Sequence, residues 1–243
     1  MYWQAEMRQG LRVAFTSAGT GNLALHVGDD PGRVRAHRER LEAELGMSSG
    51  SLRFMSQTHS NRVAIVPENA EVAAAPPEAD AMVSRDGRHP LAVLVADCVP
   101  IVLADTSDTG LRAGVGGATA VVHAGRAGVR NGIVEAAVRS LRGLGAREVS
   151  AWIGPAVCGA CYEVPEDMMR DVAERVPAAE ARTRTGTPAL DLPAAVRWQL
   201  EQLAVDVSIV RGAGTTCTLE NTELYSHRRE PGAGRIAGLV WRT

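Results

Sequence analysis

LAVLVADCVPIVLAD, residues 91–105, is the stretch whose reading decides the fold. It is nearly continuously apolar and β-branched, the pattern of a strand buried on both faces, not of one lying on a surface. Pro100 offers no N–H to a ladder, so a kink or strand end is predicted just after Cys98. TAVVHAG, residues 119–125, is a second apolar run and carries His123. One buried strand thus delivers a thiol and another an imidazole.

Working outward, LRVAF at 11–15 reads as a strand, followed by the glycine-rich TSAGTGN and the apolar run GNLALHVG. Asp30 and Pro31 are N-cap and first-turn residues of a helix ending at Gly46, with His37 on its solvated face. Residues 51–67 read as strand, polar turn, strand, the turn holding Gln57, Thr58, His59, Ser60 and Asn61. A Pro/Ala loop at 68–79, a strand in ADAMVS and a turn at Asp86-Gly87 lead into the central stretch. Beyond the Gly/Asp-rich loop 106–118, helical spacing predicts one helix across 129–144. VSAWIG is a strand closed by Gly154-Pro155. Helices follow at 165–176 and, after Asp191, at 193–204; VSIVRG and IAGLVW are strands. Strands and helices intermingle without strict alternation, which predicts a single α/β or α+β domain over 1–243 with mixed sheets.

Composition narrows the function classes. The 243 residues are 45% hydrophobic and 22% charged, an ordinary globular balance. The net charge of −2 leaves no footprint for nucleic acid. No apolar run approaches the roughly 20 residues of a membrane helix. MYWQAEMRQG lacks the pattern of a signal peptide, so a cytoplasmic protein with reduced cysteines is expected. All 26 basic residues are arginine, which excludes Schiff-base and P-loop lysine chemistry and leaves anion recognition to arginine forks or backbone amides.

His59, Cys98 and His123 lie 39 and 25 residues apart. Structural zinc sites place ligands in close pairs, whereas ligands supplied singly from strand ends suit a catalytic site with an open position. Such a site lowers the pKa of bound water to about 7. On the residues alone three readings stand: a metal site, a Cys98–His123 nucleophilic pair, or buried side chains without chemistry. The C-x-x-C of Cys158 and Cys161 runs into Tyr162-Glu163-Val164-Pro165 instead of opening a helix, so it reads as loop packing and not as a redox pair. His37-Arg38-Glu39 lies 121 residues before Cys158, and Pro155 does not adjoin that cysteine, so no zinc deaminase signature is formed. The glycines at 114–117 precede a strand and make no dinucleotide fingerprint. Cys217 reads as core, and His89 and His227 as solvated. In YSHRREPGAGR, Arg228, Arg229 and Arg235 flank a glycine turn and are candidates for binding an anion.

QTHSNRV, ADCVPIVLAD, VVHAG, IGPAVCGACYEV and YSHRRE…GRIAGLVW occur in the order seen in the laccase-domain family, with LALHVGDDPGRV near the start. The chain resembles that family, also called multicopper polyphenol oxidoreductase or purine nucleoside phosphorylase-like and including the peptidoglycan editing factor, over about residues 11–241. The resemblance implies an α/β/β/α arrangement of mixed sheets, similar to Cys–His toxin deamidases, with His59, Cys98 and His123 holding one zinc; copper suits the same donors. It implies phosphorolysis of adenosine, inosine and methylthioadenosine, together with adenosine deamination. Nucleoside and phosphate are the implied partners, and a homodimer is possible. Gln57, Arg126, Arg228 and Arg229 become candidates for substrate or phosphate, and Asp97 for a general acid/base or for supporting the ligands. Alternatives are a Cys98/His123 hydrolase editing a peptidoglycan precursor, a polyphenol oxidoreductase, which six histidines serve poorly, and a non-catalytic metal-holding protein. The family's H-A-G-W-R-G is His123-Ala124-Gly125-Arg126-Ala127-Gly128 here, and the arginine of its F-T-x-R-x-G-G segment has no counterpart at 15–19. These departures bear on substrate contacts and leave the three ligands in place.

Overall fold

A computed structural model of the chain describes residues 1–69, 75–107 and 117–243. The centre of the Pro/Ala loop and most of 106–118, including the glycines at 114–116, lie outside these.

The central stretch forms two strands, not one. β5 (Leu91–Val95) belongs to a sheet with β1 (Trp3–Arg8), β2 (Leu11–Phe15) and β12 (Ile236–Arg242), in the order β1-β2-β12-β5. β6 (Val99–Asp105) lies at the centre of a second sheet. The others there are β3 (Val63–Val66), β4 (Ala81–Ser84), β7 (Thr119–Ala124), β8 (Val149–Ile153) and β11 (Asp206–Ile209), in the order β11-β8-β6-β7-β4-β3. The β3–β4 and β8–β11 pairs are parallel and the remaining pairs antiparallel, a mixed sheet as expected. The chain changes sheet over Ala96–Cys98, where Asp97 has φ 84°. The break therefore ends at Cys98 instead of following it, and Pro100 sits inside β6, opposite His123. Its missing N–H is tolerated because β8 begins to pair only at Ile101, while the Pro100 carbonyl accepts from Gly154 N–H.

Period-two alternation sorts every central side chain into one of three apolar layers. Val93, Val95, Val13, Phe15, Ile236 and Val240 of the first sheet meet Met82, Val102, Val121 and Trp152 of the second. Val99, Ile101, Leu103, Ala120 and Val122 face the other way. They pack on α2 (Arg126–Asn131), α3 (Ile133–Gly143), α4 (Glu166–Ala173) and α5 (Leu192–Gln202). Ala92, Leu94, Leu239 and Trp241 pack on Leu41 and Leu45 of the α1 segment (α1, Pro31–Glu44). The order is helix, sheet, sheet, helices, the α/β/β/α sandwich that the resemblance implied. The two sheets come close because the Phe15 ring lies over glycines: a Cβ on Gly154 would meet it at 2.3 Å and one on Gly238 at 2.9 Å.

Several local expectations hold. Asp30 caps α1, its side chain accepting from Arg33 N–H at 2.7 Å, and Asp191 caps α5 through Ala194 N–H at 2.9 Å. Others do not. The run 51–56 makes only isolated bridges, at Arg53 and Ser56, so its apolar residues pack without forming a strand. The helix expected across 129–144 starts at Arg126 and is split by Gly132, whose φ of 83° ends one helix and begins the next. His37 is not free in solvent, since its Nδ1 meets the Asn22 carbonyl at 2.9 Å. β1 and the hairpin of β9 (Glu180–Arg182) and β10 (Pro188–Leu190) were not read from the sequence. Among the described residues no helix is long and apolar enough to cross a membrane.

Leu103 is fully buried between β6 and the helical layer. Leu103→Ala is expected to lower stability by about 2–5 kcal/mol, and Ile65→Ala, on the exposed edge strand β3, by less than about 0.5 kcal/mol. Chemical denaturation midpoints of the two variants check this; equal losses would contradict the central placement of β6.

Candidate functional site

The three predicted ligands converge where the two sheets part. His123, near the end of β7, shares the inter-sheet face with Val121 by strand parity and is 3% exposed. Cys98 is half-buried at the sheet crossing, and His59 is exposed in the turn before β3 with φ 60°. One donor atom from each lies within 4.8 Å of the others. Cys98 Sγ and His59 Nε2 are 3.7 Å apart, and the two imidazoles meet edge to face with centroids 4.7 Å apart. The cluster needs a residue without a side chain beside it: a Cβ on Gly125 would stand 2.6 Å from His59 Cδ2 and 3.2 Å from Cys98 Sγ.

Asp80, which sequence reading missed, holds the cluster together. Its fully buried carboxylate meets His123 Nδ1 at 2.8 Å and accepts from His59 N–H at 3.0 Å. Ser60 donates to it twice, from N–H and from Oγ, each at 2.6 Å. The only signal was one acid, in ADAMVS, at the head of an apolar strand. Burial alone would raise its pKa, but the hydrogen bonds from His123 and Ser60 outweigh that and hold the carboxyl well below the usual carboxylate range. A carboxylate on Nδ1 makes that nitrogen the donor and turns Nε2 toward Cys98.

The same contacts tune the thiol. Burial pushes Cys98 up, yet the charge and hydrogen bonds of His123 and then His59 prevail and bring it down to about 6. Burial pushes His123 down, yet Cys98 and Asp80 raise it to about 9. Between these values the pair is thiolate and imidazolium. A thiolate, an outward Nε2 and a second imidazole fit a soft or borderline divalent ion such as Zn²⁺ or copper, with the solvent side left open by exposed His59.

The remaining predicted residues divide. Arg126, half-buried at the start of α2, and Arg228 both act electrostatically on Tyr162, as Cys98 does; the Arg228 guanidinium stands 4.5 Å from the Tyr162 ring centroid. Arg235 is half-buried and feels the charge of Cys98. His26 belongs to the same neighbourhood: desolvation, then Arg235, Arg38 and His123, hold it below the ordinary imidazole value. Gln57 instead clasps the Leu94 backbone, donating from Nε2 at 2.7 Å and accepting at Oε1 at 2.9 Å, so its amide is occupied by β5. Arg229 donates to the carbonyls of Thr218, Leu219, Asn221 and Leu224, so its guanidinium tethers a loop. Asp97 accepts from Thr218 Oγ1 at 2.6 Å and from Arg228 N–H at 2.8 Å, one bond on each oxygen. That geometry makes it a support for the Cys98 turn. Tyr162 and His26 carried no signal beyond their presence in apolar motifs.

An α/β/β/α sandwich with a Cys-His-His cluster at the sheet crossing is the class that fold and site define. The chain belongs to the multi-copper polyphenol oxidoreductase laccase family, whose model matches residues 7–243. A Streptomyces coelicolor protein named purine nucleoside phosphorylase SCO2081 is 46% identical over 253 residues, covering 99% of each chain. A Mycobacterium tuberculosis protein, also named purine nucleoside phosphorylase, is 41% identical over 240 residues, 95% of this chain and 91% of its own. Among solved structures, YlmD from Geobacillus stearothermophilus superposes with a TM-score of 0.81 at 26% identity, covering 99% of this chain and 98% of that one. Neisseria meningitidis NMB0706 gives 0.78 at 28% identity, with the same coverage.

The thiolate sets a pH-dependent prediction. In metal-stripped protein, alkylation of Cys98 by iodoacetamide is expected to rise with a midpoint near pH 6, since the lowered pKa keeps the thiolate down to that pH. His123→Ala is expected to move the midpoint upward toward the ordinary cysteine range of about 8.5. Mass-spectrometric rates against pH check both; a wild-type midpoint near 8.5 would refute the pairing.

Proposed function

We propose that the protein is a purine nucleoside phosphorylase that works at the His59, Cys98 and His123 cluster with a zinc ion bound there. The observation that carries the reading is the grouping of cationic Arg126, Arg228 and Arg235 around a Cys-His-His cluster. The names of the close relatives support it.

Phosphorolysis forms a bond from a phosphate oxygen to ribose C1′ and breaks the bond from C1′ to the purine nitrogen. The electron pair leaves with the base, and the proton of hydrogenphosphate ends there. Arg126, Arg228 and Arg235 hold the phosphate and offset its charge as it approaches C1′. Tyr162 keeps the Arg228 guanidinium over its ring. His26, whose pKa burial and then Arg235 hold below the ordinary imidazole value, offers a ring nitrogen to a nucleoside hydroxyl. Asp80 and Asp97 fix the ligand turns from behind. When bound, zinc supplies a Lewis acid, the chemistry that the proposed accompanying deamination of adenosine needs.

A second reading draws on one observation, the thiol of about 6 beside an imidazolium: Cys98 as the nucleophile of a hydrolase, with His123 as the base that has taken its proton. Metal content separates the two. Loss of one zinc equivalent per chain on Cys98→Ser supports the phosphorylase, whereas metal-free activity abolished by alkylating Cys98 supports the hydrolase.

The direct test incubates zinc-loaded protein with adenosine, inosine and methylthioadenosine, with and without phosphate, following ribose 1-phosphate and ammonia. Phosphate-dependent ribose 1-phosphate is expected, and Arg228→Ala should raise the KM for phosphate about 10- to 150-fold through lost charge-assisted hydrogen bonds. Neither product from adenosine or inosine would overturn the proposal.

A further inference from the structure

Behind this site lies a second cluster that the phosphorylase reading does not use. Cys158, Cys161, Cys217 and Glu220 each bring one sulfur or oxygen within 4.8 Å of the others. Cys217 was expected to be partnerless core; it is buried, but it faces two other thiols. The loop packing read at the C-x-x-C pair is one side of this four-residue group.

The backbone arranges the four as two matching pairs. In Cys158-x-x-Cys161, the Cys158 carbonyl accepts from Cys161 N–H at 3.0 Å and from Tyr162 N–H at 2.9 Å. In Cys217-x-x-Glu220, the Cys217 carbonyl accepts from Glu220 N–H at 3.2 Å and from Asn221 N–H at 2.9 Å. Each turn thus presents its first and fourth side chains on one side. A parallel bridge between Ala156 and Cys217 sets the turns face to face, with Ala156 N–H on the Thr216 carbonyl and Thr218 N–H on the Ala156 carbonyl, both at 3.1 Å. Ligands in close pairs, two from each of two turns, are the pattern of a closed structural zinc site.

Burial and the neighbouring sulfurs push the Cys158 thiol up and the Cys161 thiol up to about 12 in the metal-free chain, while backbone donors and one cation face the same sulfurs. Cys158 N–H donates to Cys217 Sγ at 3.4 Å, and the Ala160 N–H bonds to the Cys158 thiol. The Arg184 guanidinium pairs with Glu220 and reaches Cys161 Sγ at 3.8 Å. Three thiolates and a carboxylate carry four negative charges; a divalent ion and Arg184 offset three. Zinc–sulfur bonds of about 2.3 Å at tetrahedral angles put sulfurs roughly 3.8 Å apart, so closure from the present spacing takes shifts of about 1 Å or less.

We propose that Cys158, Cys161, Cys217 and Glu220 form a second, structural metal site that takes Zn²⁺. Its place explains its use. Thr218, next to Cys217, donates to Asp97 beside Cys98, and Val157, next to Cys158, donates to the Asp97 carbonyl at 3.0 Å. Tyr162 follows Cys161 directly. The ion ties the Tyr162 turn and the Thr218 turn together behind the first cluster.

Metal analysis tests this independently of any activity. Wild-type protein purified without chelator is expected to hold two zinc ions per chain. Cys98→Ser, which removes a ligand of the first cluster, should keep one, as should Cys161→Ser, and the double variant none. Peptide mapping of wild-type protein supplies a measure free of mutation: Cys158, Cys161 and Cys217 should resist alkylation until a strong chelator is added, then react at least tenfold faster. Zinc absent from Cys98→Ser, or the same metal content in Cys161→Ser as in wild type, would overturn the proposal. So would a disulfide among the three cysteines, or alkylation indifferent to chelator. Failure of phosphorolysis leaves these readouts untouched.

Discussion

The buried carboxylate of Asp80 is the constraint on which the site depends. It lies at the entrance to β4 and reaches the His59 turn through backbone N–H groups and the His123 ring through Nδ1. A buried charge is tolerated only when paired and hydrogen-bonded, and this one has both. Removing it would leave His59 on an unanchored turn and His123 free to choose the other tautomer. Because its pKa is depressed in the folded chain, the stability it contributes is present above the ordinary aspartate value of about 3.9 and is lost as pH falls through the folded one.

The second constraint is the passage from one sheet to the other. β5 and β6 are consecutive in sequence yet belong to different sheets, so the residues between them, Cys98 among them, lie at the seam of the two sheets. Asp97 takes the left-handed conformation there and has both oxygens occupied by Thr218 and Arg228. Cys98 is therefore presented by a turn held from the side that also carries Cys158, Cys161 and Cys217. The two clusters share one wall.

Much of this was legible in sequence because it is local. The α1 cap, the apolar run of β7 and the residue types at 59, 98 and 123 all announce themselves within a few positions. What was not legible depends on partners far along the chain. Asp80 meets His123 from 43 residues away, and Cys217 meets Cys158 from 59. Gln57 and Arg229 have the chemistry of ligand-binding groups, but backbone carbonyls and amides reached them first. The single apolar run 91–105 could not reveal that it serves two sheets, since both halves are buried on both faces. Gly132 lies inside a helical apolar pattern, and only its positive φ shows that the helix breaks there.

The most direct test of the account is the metal affinity of Asp80→Asn, measured by chelator competition on folded protein. Asparagine keeps the shape but puts an amide donor where Ser60 and His59 also donate, so the loss of a ligand-orienting carboxylate should weaken metal binding at the Cys98 cluster about 10- to 100-fold. An affinity equal to that of the wild type would contradict the claim that this carboxylate holds the site together.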